Sequence, residues 1–244
     1  MKCIVLAAGY ATRLYPLTKN QPKPLLPVAG VPILEHILRK VERVEPVDGI
    51  CIVTNDRFYR HFEAWRSQYK SNKPITIIND GTTDNENRLG AIADLRFALD
   101  HENIHDDILV MAGDNLFDFE LTDFVDFFLH VQHDCITVHE LQDEEALKKT
   151  GVVEIDERGK VLSFEEKPTH PRSNLAAPPF YLYRAETLDA IRTYLEEGGN
   201  PDAPGNLIPW LIRQKDVYAY RFEGQRYDIG TPESYQYVQQ LFSK

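Results

Sequence analysis

Apolar positions in the first half of the chain come in short, two-sided runs separated by stretches with a helical period. Residues 4–6, 50–54, 75–78 and 108–111 are rich in β-branched residues and apolar without strict alternation, the pattern of strands covered on both faces. Between the first two, Ile33, Leu34, Ile37, Leu38, Val41 and Val44 return at helical spacing, and Phe58, Phe62 and Trp65 do the same further on. A third helix is predicted over 89–99. Strands that alternate with helices build βαβ units, so the expected class is α/β, with a mixed, mostly parallel sheet and helices on both faces.

After Asp114 the rhythm changes. A helix is predicted over 117–131, a strand over 135–139, and a hairpin of 152–155 with 161–164 around Asp156-Glu-Arg-Gly159. Residues 180–183 and 217–222 read as strands, and 188–195, 207–212 and 232–242 as helices. Pro201-Asp-Ala-Pro-Gly205 is a loop, but no stretch has the composition of a flexible linker, and no repeat or low-complexity tract is seen. A single domain over 1–244 is expected.

Composition narrows the function. Hydrophobic content of 43% and charged content of 27% are ordinary for a globular protein. No run approaches the ~20 apolar residues of a membrane span, and the apolar run before Gly9 is too short for a signal-peptide core. A cytoplasmic protein with no membrane partner is expected. Cys3, Cys51 and Cys135 are far apart and each lies in an apolar run, so buried free thiols are expected rather than disulfides or a zinc site. The eight histidines form no metal-binding pair. A net charge of −11 argues against nucleic acid as a partner. An anionic small molecule stays compatible with it, provided particular Lys and Arg residues or a metal ion supply local positive charge.

The first strand runs into Gly9-Tyr10-Ala11-Thr12-Arg13, at the strand end where open parallel sheets bind ligands. A glycine there lets backbone N–H groups approach phosphate oxygens, and Arg13 adds a planar two-pronged donor. Prolines at 22, 24 and 27 stiffen the chain around Lys23, a point charge suited to phosphate. The same residues also suit a surface turn or a polyproline ligand, and they form neither a Walker A motif nor GxGxxG. A carboxylate ends the strand at 108–111, in Gly113-Asp114-Asn115, and another opens Asp228-Ile-Gly-Thr-Pro232. Two such acids meet the needs of Mg²⁺ if the fold joins them. Alone, Asp114 serves equally as a helix cap and Asp228 as a turn brace.

Leu6-Ala-Ala-Gly-Tyr-Ala-Thr-Arg-Leu-Tyr-Pro-Leu-Thr18, Pro22-Lys-Pro-Leu-Leu-Pro-Val28 and Gly30-Val-Pro-Ile-Leu34 together resemble the signature of the sugar-1-phosphate nucleotidyltransferases. The later Gly-Asp-Asn, Glu165-Glu166-Lys167-Pro168 and Asp-x-Gly-Thr blocks resemble the same family. The resemblance implies a Rossmann-like, GT-A-like domain, with a nucleotide-binding half at 1–115 and an acceptor-binding half at 116–244. It implies a nucleoside triphosphate and a phosphorylated small molecule, a sugar 1-phosphate, as substrates of a monomer or homodimer. Leu6, Ala8, Gly9, Arg13, Lys23, Thr83, Asn87 and Arg88 then fall at the nucleotide, with Arg13 and Lys23 catalytic. Asn115, Gly151, Glu166, Lys167 and Asn174 fall at the acceptor, with Arg172 as a second phosphate contact, and Asp114 and Asp228 hold Mg²⁺.

The base-reading segment departs from this pattern. Thr83 stands where thymidylyl- and uridylyltransferases have Gln or Glu, and Arg88 where they have Gly. The spacing from Asn79-Asp80 to Asn87 is similar to that of phosphocholine cytidylyltransferases, which makes CTP with a phosphorylated alcohol the alternative. A choline cage would draw on Tyr181, Tyr183, Tyr218, Tyr220 and Trp210, for which core packing is the competing use. A nucleotide-sugar sensor without catalysis is the alternative of another class, and a GT-A glycosyltransferase would need an Asp-x-Asp not found at a strand end. The chain ends soon after its last helix, where larger relatives continue, so their allosteric site is not expected.

Overall fold

The computed structural model describes residues 1–243. In its first half, strands β1 (Lys2–Leu6), β4 (Gly49–Thr54), β5 (Ile75–Asn79) and β6 (Ile108–Ala112) are linked by helices α1 (Ile33–Val41), α2 (Asp56–Gln68) and α3 (Ala91–His101). A small hairpin of β2 (Pro27–Val28) and β3 (Val31–Pro32) precedes α1. The second half holds β7 (Asn115–Phe117), α4 (Leu121–Val131), β8 (Asp134–Glu140), α5 (Glu144–Leu147), β9 (Gly151–Ile155), β10 (Val161–Glu166), β11 (Leu175–Ala177) and β12 (Phe180–Tyr183). It closes with α6 (Leu188–Glu196), α7 (Leu207–Leu211), β13 (Val217–Arg221), β14 (Arg226–Asp228) and α8 (Pro232–Phe242).

Ten strands form one sheet, ordered β10-β9-β11-β8-β12-β6-β1-β4-β5, with β13 added to β8. Seven of the ten run in one direction; β10, β11 and β12 oppose them. The parallel order β6-β1-β4-β5 holds the reason for the site. The chain steps outward from β1 to β4 to β5 and then returns to the far side of β1. Right-handed crossovers therefore place α1 and α2 on one face and α3 on the other, opening a crevice beyond the ends of β1 and β6.

Packing follows the alternation of side chains along each strand. Cys3 and Val5 join the core under α1, α2, α4 and α8, whereas Ile4 joins the core under α3, α6 and α7. All six residues of β4 are buried, as its two-sided apolar run requires. Cys3, Cys51 and Cys135 lie in β1, β4 and β8 as buried free thiols; burial raises Cys51 to about 12.

One expectation changes, and one feature was not predicted. The helix predicted over 117–131 begins at Leu121, because residues 115–117 form a strand that pairs with β14. Its Leu-Phe pair is apolar in either conformation, so the sequence period did not separate the two. The unpredicted feature is a strand break at Pro178-Pro179. Across it the register against β8 slips by two residues: Ala176 faces His139 but Tyr181 faces Ile136. Prolines donate no ladder hydrogen bond, so the strand breaks there. One half pairs with β9 and the other with β6.

Candidate functional site

A cavity of about 230 Å³ opens beyond β1 and β6, lined by Leu6, Gly9, Arg13, Lys23, Asp114 and Gly230 among others. Three local devices shape the Gly9–Arg13 loop at its wall. Ala11 adopts a left-handed backbone, φ 47°, which non-glycine residues rarely do. Thr18 Oγ1 donates to the Ala11 carbonyl at 2.7 Å, and Asn55, at the end of β4, donates to the Ala8 carbonyl at 2.8 Å while capping α2. Arg13 makes no hydrogen bond or ion pair among the described residues; its guanidinium lies beside Gly230 and faces the cavity.

Lys23 sits on a 3-10 turn, Lys23–Leu25, held between Pro22 and Pro24. Only 6% of Lys23 is exposed. Its Nζ donates to Asp114 Oδ2 at 2.8 Å and lies 3.9 Å from Asp228 Oδ1. The two acids, 114 positions apart in sequence, thus bracket one cation. Asp228 reaches this point because β14 pairs with β7, which sets it opposite Asn115. The Gly-Thr-Pro that follows starts α8: Thr231 accepts from Ser234 N, Ser234 Oγ answers Thr231 N, and Pro232 takes the first turn.

A further residue closes the arrangement. Arg226 Nε donates to Asn115 Oδ1 at 2.6 Å, and Asn115 Nδ2 donates to Asp114 Oδ1 at 2.7 Å. Arg226 Nη2 lies 3.4 Å from Asp228 Oδ2. Lys23, Asp114, Asn115, Arg226 and Asp228 therefore form a closed ring of ion pairs and hydrogen bonds. Burial would raise the Asp114 carboxyl, but Lys23, Asn115 and Arg226 together hold it below the ordinary carboxylate value. Sequence reading missed Arg226. Its signal was the two-residue spacing to Asp228, which shares a face only if the segment is a strand.

Among the residues expected at the acceptor, Gly151 lies opposite both Glu166 and Ala177. Phe164 and Glu166 fill the space against Gly151 and Gly205: a Cβ on Gly151 would fall 2.4 Å from Phe164 Cζ, and one on Gly205 2.3 Å from Glu166 Oε2. Burial raises the Glu166 carboxyl, opposed by the charges of Lys167 and Arg226. Lys167 is exposed and held at φ 49°, a strained left-handed backbone of the kind found at ligand sites. Arg172 is mostly exposed, 3.6 Å from Glu165. Asn174 lies beyond the other end of β11, roughly 10 Å along the strand from Ala177, so the fold does not bring it to Glu166.

The segment 83–88 is knotted on itself. Asn87 Oδ1 accepts from Thr83 N and Asp84 N, its Nδ2 reaches Thr83 Oγ1, and Asp84 Oδ1 accepts from Glu86 N and Asn87 N. Arg88 donates to Asn85 O at 2.7 Å and pairs with Asp202 at 3.2 Å. Beneath this loop, Tyr10 and Thr82 lead to Asp80, whose charge acts on buried Asp94. The five rings considered for a choline cage do not converge. Tyr181 and Tyr183 stack in one core, Tyr218 and Tyr220 pack on the other, and Trp210 meets Tyr194.

A crevice at the turning point of a parallel sheet, with a rigid lysine, a free arginine and converging carboxylates, is that of an α/β protein built to handle a nucleotide's phosphates. The chain belongs to the nucleotidyl transferase family, whose model matches residues 2–244. The bifunctional protein GlmU of Methanocaldococcus jannaschii is 30% identical over 233 residues, 95% of this chain and 52% of that protein. This chain thus spans about half the length of such relatives. The UTP–glucose-1-phosphate uridylyltransferase AglF of Haloferax volcanii is 29% identical over 96% of this chain and 93% of its own. Among solved structures, a UDP-glucose pyrophosphorylase complexed with UDP-glucose shares the fold at a TM-score of 0.83 and 22% identity, covering 99% of this chain and 97% of that one. Among the described residues no helix is long and apolar enough to cross a membrane.

Proposed function

We propose that the chain transfers a nucleotidyl group from a nucleoside triphosphate to a sugar 1-phosphate, giving a nucleoside diphosphate sugar and pyrophosphate. The observation that carries this reading is Lys23 bracketed by Asp114 and Asp228 at the wall of the phosphate-loop cavity. The similarity to AglF makes a uridine nucleotide and glucose 1-phosphate the first pair to try. The dispersal of the aromatic rings speaks against phosphocholine, and an intact set of cleft cations and carboxylates against a sensor.

The residues fit a divalent ion. Asp114 and Asp228 already lie within 4 Å of one positive charge. Among the described residues no third His, Cys, Asp or Glu joins them. Two carboxylates completed by phosphate oxygens and water is how Mg²⁺ is commonly held, and Mg²⁺ is the ion proposed. When bound, the ion supplies neutralisation of triphosphate charge.

The chain's own residues do the rest. The Gly9–Arg13 loop and the Arg13 fork receive the triphosphate, and Lys23 neutralises the reacting phosphate. Glu166 accepts hydrogen bonds from sugar hydroxyls, and Lys167 attracts the acceptor's phosphate. An oxygen of that phosphate attacks the α-phosphorus. The bond from the α-phosphorus to the oxygen bridging to the β-phosphate breaks, and its electron pair leaves with pyrophosphate. Both reactants are ionised, so alignment and charge neutralisation carry the step rather than acid–base chemistry. We read 1–115 as the nucleotide half and 116–244 as the acceptor half of one domain, working in the cytoplasm without nucleic acid or membrane.

The test is pyrophosphate release by purified protein with Mg²⁺. CTP, UTP, dTTP, GTP and ATP are each crossed with glucose 1-phosphate, mannose 1-phosphate and phosphocholine. Release that requires a sugar 1-phosphate is expected; release with CTP and phosphocholine alone would transfer the chain to the other branch, and nucleotide binding without release would point to a sensor.

A further inference from the structure

Arg226 is a nearly buried cation with most of its donors unspent. Its side chain keeps 13% exposure. Nε–H is committed to Asn115 at 2.6 Å, and Nη2 stands 3.4 Å from Asp228. Among the described residues the guanidinium makes no other hydrogen bond. The donors left over are not sealed from solvent, so they are open to a ligand. The charge also sits between the two halves of the site. It is felt by Asp114 on the Lys23 side, by Glu166 on the acceptor side, and by His139 and Tyr181 beneath. The contacts of Arg226 tie it to the Lys23 side, through Asn115 to Asp114 and directly to Asp228, while its charge also acts on Glu166.

We propose that Arg226 binds the phosphate of the acceptor and aims it at the nucleotide; this rests on the transferase reading and deepens it. A guanidinium meets a phosphate with two parallel N–H···O bonds, which fixes orientation where a lone ammonium fixes only distance. Asn115 spends both ends of its amide, on Arg226 and on Asp114, and so serves as the strut that sets the fork's angle. Lys167, exposed on a flexible stem, captures the phosphate, and Arg226 orients it.

The experiment compares wild type, Arg226→Lys and Arg226→Gln, with folding checked by Tm. The lysine variant keeps the charge and loses the fork; the glutamine variant loses both. KM for glucose 1-phosphate is expected to rise about tenfold and about hundredfold respectively, with KM for the nucleotide and the Mg²⁺ half-saturation within about twofold of wild type. A merely structural strut for Asp228 predicts the opposite split: lower kcat and a raised Mg²⁺ requirement with acceptor KM unchanged. That result would overturn the proposal. Labelling of wild-type Arg226 by phenylglyoxal, with a nonreacting nucleotide analogue bound, needs no variant. Added glucose 1-phosphate is expected to slow it, and labelling that does not depend on glucose 1-phosphate also overturns the proposal. A wild type silent across the substrate grid defeats the transferase reading itself, whereas an active wild type with unchanged acceptor KM in both variants defeats only the role of Arg226.

Discussion

Removing Lys23 separates two roles that one ammonium combines. In the free protein Nζ stands 2.8 Å from Asp114 and 3.9 Å from Asp228, in the space a divalent ion would share. Lys23→Ala should therefore bind metal more tightly in the absence of nucleotide, even as it loses turnover. Two unit charges 4 Å apart interact by about 4 kcal/mol at an effective dielectric constant of about 20. Asp114 and Asp228 keep 35% and 45% exposure, so solvent screens much of this. About 1.4 kcal/mol should survive, which is tenfold in metal affinity. Turnover should fall about 10²-fold or more, since a preorganised charge on the reacting phosphate is lost. Titration calorimetry with Mn²⁺ as the probe, without nucleotide, measures the first effect; pyrophosphate release measures the second. Weaker or unchanged metal binding in the variant would refute the idea that Lys23 occupies the metal's place between the carboxylates.

The other predictions draw on different parts of the site. Asp94 is 6% exposed, and burial with the neighbouring Asp80 charge raises it to about 8. A carboxyl that keeps its proton only when folded makes stability decline as pH rises from about 4 to about 8. Asp94→Asn should flatten that decline and raise Tm at pH 8, and an equal Tm change at pH 5.5 and pH 8 would count against it. Gly205→Ala puts a Cβ 2.3 Å from Glu166 Oε2; acceptor KM should rise about tenfold, as loss of one charged hydrogen bond does, with nucleotide KM steady. Arg88 and Asp202 form an exposed pair, so breaking it should cost less than about 1 kcal/mol of stability. Any effect on nucleotide KM should be the same in Arg88→Ala, Asp202→Ala and the double variant, and additive effects would show that Arg88 acts apart from Asp202.

The sequence alone determined the alternation of strands and helices in the first half. Two-sided apolar runs and 3.6-residue spacing are local properties that survive without knowledge of partners, and β4 and α1 show them plainly. It also put Gly9, Arg13 and Lys23 within one short segment leaving one strand, and in the structure all three line one cavity. It could not determine what closes that segment into a site. Residues 115–117 and 226–228 are too short to carry a period, and only their mutual pairing brings Asp228 and Arg226 to Asp114 and Lys23. The same holds for Asn87 and Arg88. In sequence they are free polar groups, but in the structure their hydrogen bonds are spent inside the loop and on Asp202, over a hundred residues away. Short-range periodicity is written in the chain; which charges meet across it is settled when distant strands pair, because Coulomb and hydrogen-bond energies depend on distance in space rather than along the sequence.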